Sequence, residues 1–238
     1  VRDELNCVQF LSVLRKIPGS LWATLNDTHR QTINYENDCR QMLVGLTIRA
    51  IIYGEVKYFA DEEGNNINPE PCYKTKYPDI DTLDHSIYFK SDNKTIYIFW
   101  DNTFVCYGLL SKQLDLTETT NDYEQKWDVS SDSKWQPFIG QKIVDFKILW
   151  EETWISNLDG TNKVYTTYPQ TFEIKMENGK SIFITASELK DSDDEYYSQM
   201  DNLLVTTNYE LLQRLENLQQ NQIEMRNSKK TLWTKLFG

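Results

Sequence analysis

The sequence predicts a mainly β protein of the α+β class, built as two tandem antiparallel β-rich repeats with an N-terminal and a C-terminal helix. Three observations carry this expectation. Two stretches of the chain repeat the same order of features, residues alternate between apolar and polar inside each stretch, and helical periodicity is confined to the ends.

The first stretch opens with Leu43-Val44-Gly45-Leu46-Thr47-Ile48 and the second with Phe138-Ile139-Gly140-Gln141-Lys142-Ile143. Each continues through an aromatic segment, Tyr53-Gly54-Glu55-Val56-Lys57-Tyr58 or Trp150-Glu151-Glu152-Thr153-Trp154-Ile155, to a turn signal at Gly64 or Gly160. Each then passes a Tyr-Pro pair (Tyr77-Pro78, Tyr168-Pro169) and ends in a hairpin pattern, expected over 84–100 and 170–186. The offset is 95 at the first glycines (140 − 45) and 85 at the hairpins (172 − 87), as loops shorten.

In the second hairpin Phe172, Ile174 and Met176 alternate with Glu173 and Lys175, the period of a half-buried strand. Asn178-Gly179 supplies the positive φ angles of a tight turn. Asn93-Lys94 takes the same place in the first hairpin, where the absence of glycine predicts a looser turn.

Leu5, Val8, Leu11 and Leu14 recur at helical spacing over Asp3–Arg15, and Pro18-Gly19 ends the pattern. Leu211, Leu212, Leu215, Leu218 and Ile223 form a second stripe over Tyr209–Met225, with Asn208 as its N-cap. The polar, acidic connection Thr117–Lys134 is long enough to hold an element of its own, anchored by Trp127. The organisation expected is therefore a helical segment 1–41, a first β-rich repeat and connection 42–135, a second repeat 136–207, and a C-terminal helix and basic tail 208–238. In that tail Arg226, Lys229, Lys230 and Lys235 mix with Leu232, Trp233, Leu236 and Phe237, to dock on the core or on a partner.

With 238 residues, 7 Trp, 14 Tyr and 10 Phe, the chain has ample material for a core and is not a disordered polymer. Its 36 acidic residues outnumber 25 basic ones, a net charge of −11 that disfavours nucleic acid and anionic lipid and suits a basic protein partner. No run of apolar residues is long enough for stable membrane insertion, and the N-terminus lacks a signal-peptide pattern. Four scattered cysteines, Cys7, Cys39, Cys72 and Cys106, read as reduced thiols of a cytoplasmic protein. With only two histidines and no paired cysteine spacing, neither metal nor cofactor is expected.

Catalytic motifs are likewise missing: the sequence holds no Gly-x-Ser-x-Gly, phosphate-binding loop or dinucleotide fingerprint. A non-enzymatic protein-binding module is the expectation. The alternatives are a carboxylate-dependent hydrolase using His85, beside Asp84, or the acids of 188–195, and a scaffold or regulatory subunit held through its terminal helices.

The candidate binding residues are Asp191, Asp193, Asp194 and Glu195, which would steer a basic surface, with Tyr196 and Tyr197 as anchors. The same run also reads as a solvated acidic loop, and Tyr196 and Asn202 stand where a calcium loop of the EF-hand type needs glycine and a bidentate acid. A second place has two readings. Trp150 and Trp154 flank Glu151-Glu152, a combination found at protein-binding rims, but they stand where Tyr53 and Tyr58 do in the first stretch, so most of these rings are expected in the module core.

The segments Trp135-Gln136-Pro137-Phe138-Ile139-Gly140-Gln141-Lys142-Ile143, Tyr168-Pro169-Gln170-Thr171-Phe172 and Glu177-Asn178-Gly179-Lys180-Ser181-Ile182 resemble a pattern in small bacterial proteins associated with the immunity proteins of polymorphic toxin systems. The resemblance covers about a third of the chain and rests on a strand entry and a hairpin, so it implies fold more than activity. The first stretch departs from it, with Asp79 after Tyr77-Pro78. An immunity-type inhibitor would bind and block a toxin domain with a basic surface, and no catalytic residue comes with the resemblance.

Overall fold

The computed structural model describes residues 28–57, 70–104, 107–115, 124–156, 161–190 and 195–218. Helix α1 (Thr28–Leu43) precedes ten strands: β1 (Ala50–Val56), β2 (Ile80–Leu83), β3 (Ser86–Lys90), β4 (Thr95–Asp101), β5 (Gly108–Leu114), β6 (Glu124–Asp128), β7 (Ile143–Ile155), β8 (Val164–Met176), β9 (Ser181–Lys190) and β10 (Glu195–Thr206). Helix α2 follows over 209–218. The strands form two five-stranded antiparallel sheets, β5-β4-β3-β1-β6 and β2-β10-β9-β8-β7. The mainly β class with flanking helices is what the chain adopts. The helix expected over Asp3–Arg15 and the basic tail lie outside the described residues, whereas α1 falls in a stretch whose spacing gave little sign of it.

Both expected hairpins form. In the first, Ser86–Lys90 pairs with Phe99–Thr95, and in the second Thr171–Lys175 pairs with Thr185–Ser181. Gly179 sits at φ 81° in the second turn, where Met176 N–H donates to Lys180 O at 2.8 Å. The first turn has no glycine and is closed instead by Ser91, whose Oγ accepts Lys94 N–H at 3.2 Å.

Within each sheet four strands run as a meander of the same order, β1-β3-β4-β5 and β7-β8-β9-β10. The fifth strands come from elsewhere. β6, inside the acidic connection, adds to β1, and β2 leaves its sequence neighbours to pair with β10 (Leu203↔Leu83 to Thr206↔Ile80). The sequence division at 135/136 therefore does not separate the sheets. The two glycine-bearing entry segments pair with each other: Gly45 N–H donates to Ile143 O (2.8 Å) and Gly140 N–H to Ile48 O (2.7 Å). Ile48 N–H donates to Gln141 O (3.0 Å) and Ile143 N–H to Leu46 O (2.9 Å). Exchanging residues 95 apart (140 − 45, 143 − 48) turns each bond into its counterpart. Both glycines have positive φ, 89° and 81°, a region that L side chains avoid.

The sheets face each other across one core, with Ile51, Tyr53, Ile87, Phe89 and Ile98 from the first against Phe146, Phe172, Ile174, Ile184 and Val205 from the second. Burial on this scale is the main source of stability, about 1.5–3 kcal/mol for each large side chain. One polar cluster crosses the core. Tyr53 on β1 donates its hydroxyl to Asp81 Oδ2 on β2 (2.6 Å) and accepts Trp135 Nε1–H (2.9 Å), while Lys134 forms an ion pair with Asp81. Burial, reinforced by the Asp81 charge, pushes the Tyr53 phenol well above its ordinary range, so it stays a neutral donor.

α1 closes one side of the sandwich by covering two strand edges. Tyr35 Oη donates to Leu109 O (2.9 Å) and accepts Ser111 N–H (3.1 Å) on the outer edge of β5. One turn on, Arg40 donates to the Asp145 carboxylate and the Phe146 carbonyl on β7. Side-chain atoms thus replace strand partners, which guards both edges against pairing with another chain. α2 covers the outer face of the second sheet, where Leu212 and Leu215 pack with Ile80, Phe183, Leu189, Tyr196 and Leu204. Among the described residues no helix is long and apolar enough to cross a membrane.

Candidate functional site: an aromatic and acidic cleft

Strand lengths create the site. β7 and β8 have 13 residues each, while the strands facing them have five to seven. The β7–β8 hairpin therefore outruns the first sheet, and its inner face emerges from the core. Phe146, Ile148 and Trp150 follow one another along that face at every second residue. Trp150 is the last to be packed, with the Tyr35 ring at 6.2 Å and the Phe104 ring at 5.7 Å. Gly108 of β5 abuts Pro169 there, since an added Cβ would stand 3.0 Å from Pro169 Cδ.

Beyond this point the same face continues uncovered. A bulge at Gln170 keeps the cross-strand pairs in phase, so that Glu152 faces Thr167 and Trp154 faces Tyr165. Trp154 is 49% exposed and Tyr165 66%. The first turns of α1 form the opposite wall with Thr32, Ile33 and Glu36, enclosing a cavity of about 440 Å³ together with Trp150, Glu152, Tyr165, Thr166 and Thr167. Glu36 is held in place by Trp150, whose Nε1–H donates to its Oε2 at 3.4 Å.

Two carboxylates, Glu36 and Glu152, and two large rings, Trp150 and Tyr165, line one concavity, a combination that attracts cations through charge and through the ring quadrupole. The protein already shows this chemistry at the rim. The Lys163 ammonium stands 4.1 Å from the centre of the Trp154 ring.

On the other face of the hairpin, Tyr168 donates to Glu151 Oε2 at 2.9 Å, and Glu216 of α2 packs nearby. Burial, with the Glu151 charge, pushes the Glu216 carboxyl up to about 7.

His85 belongs to a different cluster. Its Nδ1 lies 2.6 Å from Glu124 Oε1, which also accepts Ser86 Oγ–H at 2.5 Å, while Tyr88 donates to Oε2. Burial favours the neutral acid, but the hydrogen bonds from His85, Ser86 and Tyr88 outweigh it and hold Glu124 below the usual carboxylate range. Ser86 is bonded to the carboxylate rather than to the imidazole, so these three residues do not form a serine–histidine–acid relay. The carboxylate acts as a brace that joins β6 to β3. Among the described residues no three His, Cys, Asp or Glu side chains converge to hold a metal. Cys39 and Cys72 are free thiols, the first buried.

The acidic run expected from sequence falls between β9 and β10. Asp191, Asp193 and Asp194 lie outside the described residues, and Glu195 opens β10 opposite Lys190. Tyr196 requires a correction. It is 4% exposed, packs beneath α2, and hydrogen-bonds Ser187 Oγ at 2.7 Å, so its ring is committed to the interior and is not an anchor for a partner. Tyr197 is half-buried opposite Glu188. The cavity instead joins Trp150 and Glu152 to Glu36 and Tyr165, with Trp154 exposed opposite Tyr165. The aromatic pair expected in the core is thus divided, Trp150 packed and Trp154 not, and the sequence pattern singled out neither Glu36 nor Tyr165. A hairpin drawn about the Asp159-Gly160 turn signal of the sequence would have placed Tyr165 opposite Trp154, the pairing observed.

Comparison with known protein families, with curated proteins and with solved structures finds no match to this chain.

Proposed function

We propose that this is a non-enzymatic protein-binding module whose partner docks at the cleft between α1 and the β7–β8 hairpin. The observation that carries the reading is the overhanging pair Trp154 and Tyr165, left 49% and 66% exposed beside the acids Glu152 and Glu36. Large rings held on a rigid strand lose little freedom on binding and supply the anchors that dominate protein interfaces. The net charge of −11 favours a basic partner and speeds its encounter. The specific form is the one that the sequence resemblance implies: an immunity-type inhibitor that captures and blocks a basic toxin domain.

The test can begin without an identified partner. A displayed library of random peptides is selected on the immobilised full chain, and the enriched peptides are measured against Tyr165→Ala. Enrichment of Lys- and Arg-bearing peptides, with binding weakened about tenfold or more by the substitution, supports the reading. Enriched peptides that bind Tyr165→Ala as well as the parent place the interface elsewhere.

A further inference from the structure

We infer that the cleft is a receptor for a lysine ammonium group presented by the partner, seated over the Tyr165 and Trp154 rings with Glu152 and Glu36 as counter-ions. This rests on the binding reading above and deepens it by naming the recognised group.

Three features select a cation. Trp154, Glu152 and Trp150 occupy alternate positions of one strand face, so a side chain entering along that face meets a ring, a carboxylate and a ring in turn. Glu36 approaches from the helix wall, its carboxylate oriented by the Trp150 indole. The third feature is internal to the chain, since Lys163 already places its ammonium 4.1 Å from the Trp154 ring centre. A compact ammonium therefore fits the geometry available at the rim, and a partner lysine would take up the same interaction deeper in, between Tyr165 and Glu152. Among the described residues, the charged and titratable side chains that line the cavity are Glu36, Glu152 and Tyr165, and Lys163 stands at its rim over the Trp154 ring.

Lys163 consequently competes with the ligand. Its removal should strengthen binding of an external ammonium, which a merely structural role for the hairpin tip would not predict.

The probe is hexalysine, with the fully Nε-acetylated hexapeptide and a neutral hexasaccharide as controls. Binding is followed by titration calorimetry and by the indole N–H resonances of Trp150 and Trp154. Glu152→Gln should weaken hexalysine roughly fivefold and Tyr165→Ala by a similar factor, while Lys163→Ala tightens it about two- to threefold. Glu177→Gln, at the far end of β8 and of equal charge change, sets the background of general attraction to an acidic protein. Equal weakening by Glu152→Gln and Glu177→Gln, or weaker binding by Lys163→Ala, overturns the ammonium site. Tighter binding of the acetylated peptide or the hexasaccharide overturns it as well. In those cases peptides selected by display and still lost in Tyr165→Ala would leave the binding module standing, so the two failures are distinguishable.

Discussion

Gly54 tests the buried brace around Glu124. It lies on β1 between Ser86 of β3 and Lys126 of β6, and it leaves room for the carboxylate that joins those strands. A Cβ at this position would stand 2.2 Å from Ser86 Oγ and 2.7 Å from Glu124 Oε1. Those two atoms are themselves hydrogen-bonded at 2.5 Å, in a site where Ser86 is 0% and Glu124 4% exposed. In Gly54→Ala both groups must shift by roughly 1 Å to reach ordinary contact. Overpacking of this kind costs about 1–3 kcal/mol. Losing the serine bond to a buried carboxylate adds about 1.5–3 kcal/mol. The expected loss is about 3–4 kcal/mol, short of the ~5–15 kcal/mol that holds a domain folded. Urea unfolding followed by tryptophan fluorescence should show a lower midpoint at unchanged slope. Adding Ser86→Ala to Gly54→Ala removes the closest clash, so the double variant should recover about 1–2 kcal/mol of what the two single changes lose together. A Gly54→Ala protein within about 0.5 kcal/mol of the parent, or strictly additive effects, would refute the reasoning.

Two further outcomes follow from the same contacts. Glu216 is protonated more readily folded (about 7) than unfolded (ordinarily 4.5), so between those values the folded state binds more protons. Stability should fall as pH rises through that window and level off above it, with Glu216→Gln flattening the slope; an unchanged slope in that variant would assign it to another group. Tyr35→Phe removes the hydroxyl that serves both Leu109 O and Ser111 N–H, which should cost about 1–2 kcal/mol. Hydrogen exchange at the Ser111 amide should accelerate in the same variant, and an exchange rate equal to the parent's would show that water replaces the phenol at no loss.

The legible parts of the fold were those encoded over a few neighbouring residues. Alternation of Phe172, Ile174 and Met176 assigns a face, and Asn178-Gly179 a turn, without reference to distant chain. α1 was hard to see because its apolar stripe is thin: Tyr35, Cys39 and Leu43 are surrounded by polar residues. It needs no more, because Tyr35 and Arg40 satisfy the backbone of two sheet edges with polar atoms. Tyr196 misled for a related reason. A tyrosine beside four acids looks like surface, yet alternation along β10 turns it under α2, where Ser187 accepts or donates to its hydroxyl.

The sequence by itself determined the mainly β class, both hairpins and the acidic, aromatic-rich character of the chain. Only the tertiary structure decided that β2 joins β10 and β6 joins β1, because a strand's own pattern specifies which face it buries but not which edge will lie open beside it. The cleft is tertiary in the same sense. Trp150, Glu152 and Trp154 share a face in any strand, but Trp150 is packed and Trp154 exposed because the opposing sheet ends between them. Where that sheet ends depends on how two sheets of unequal strand length meet, which no local run of residues records.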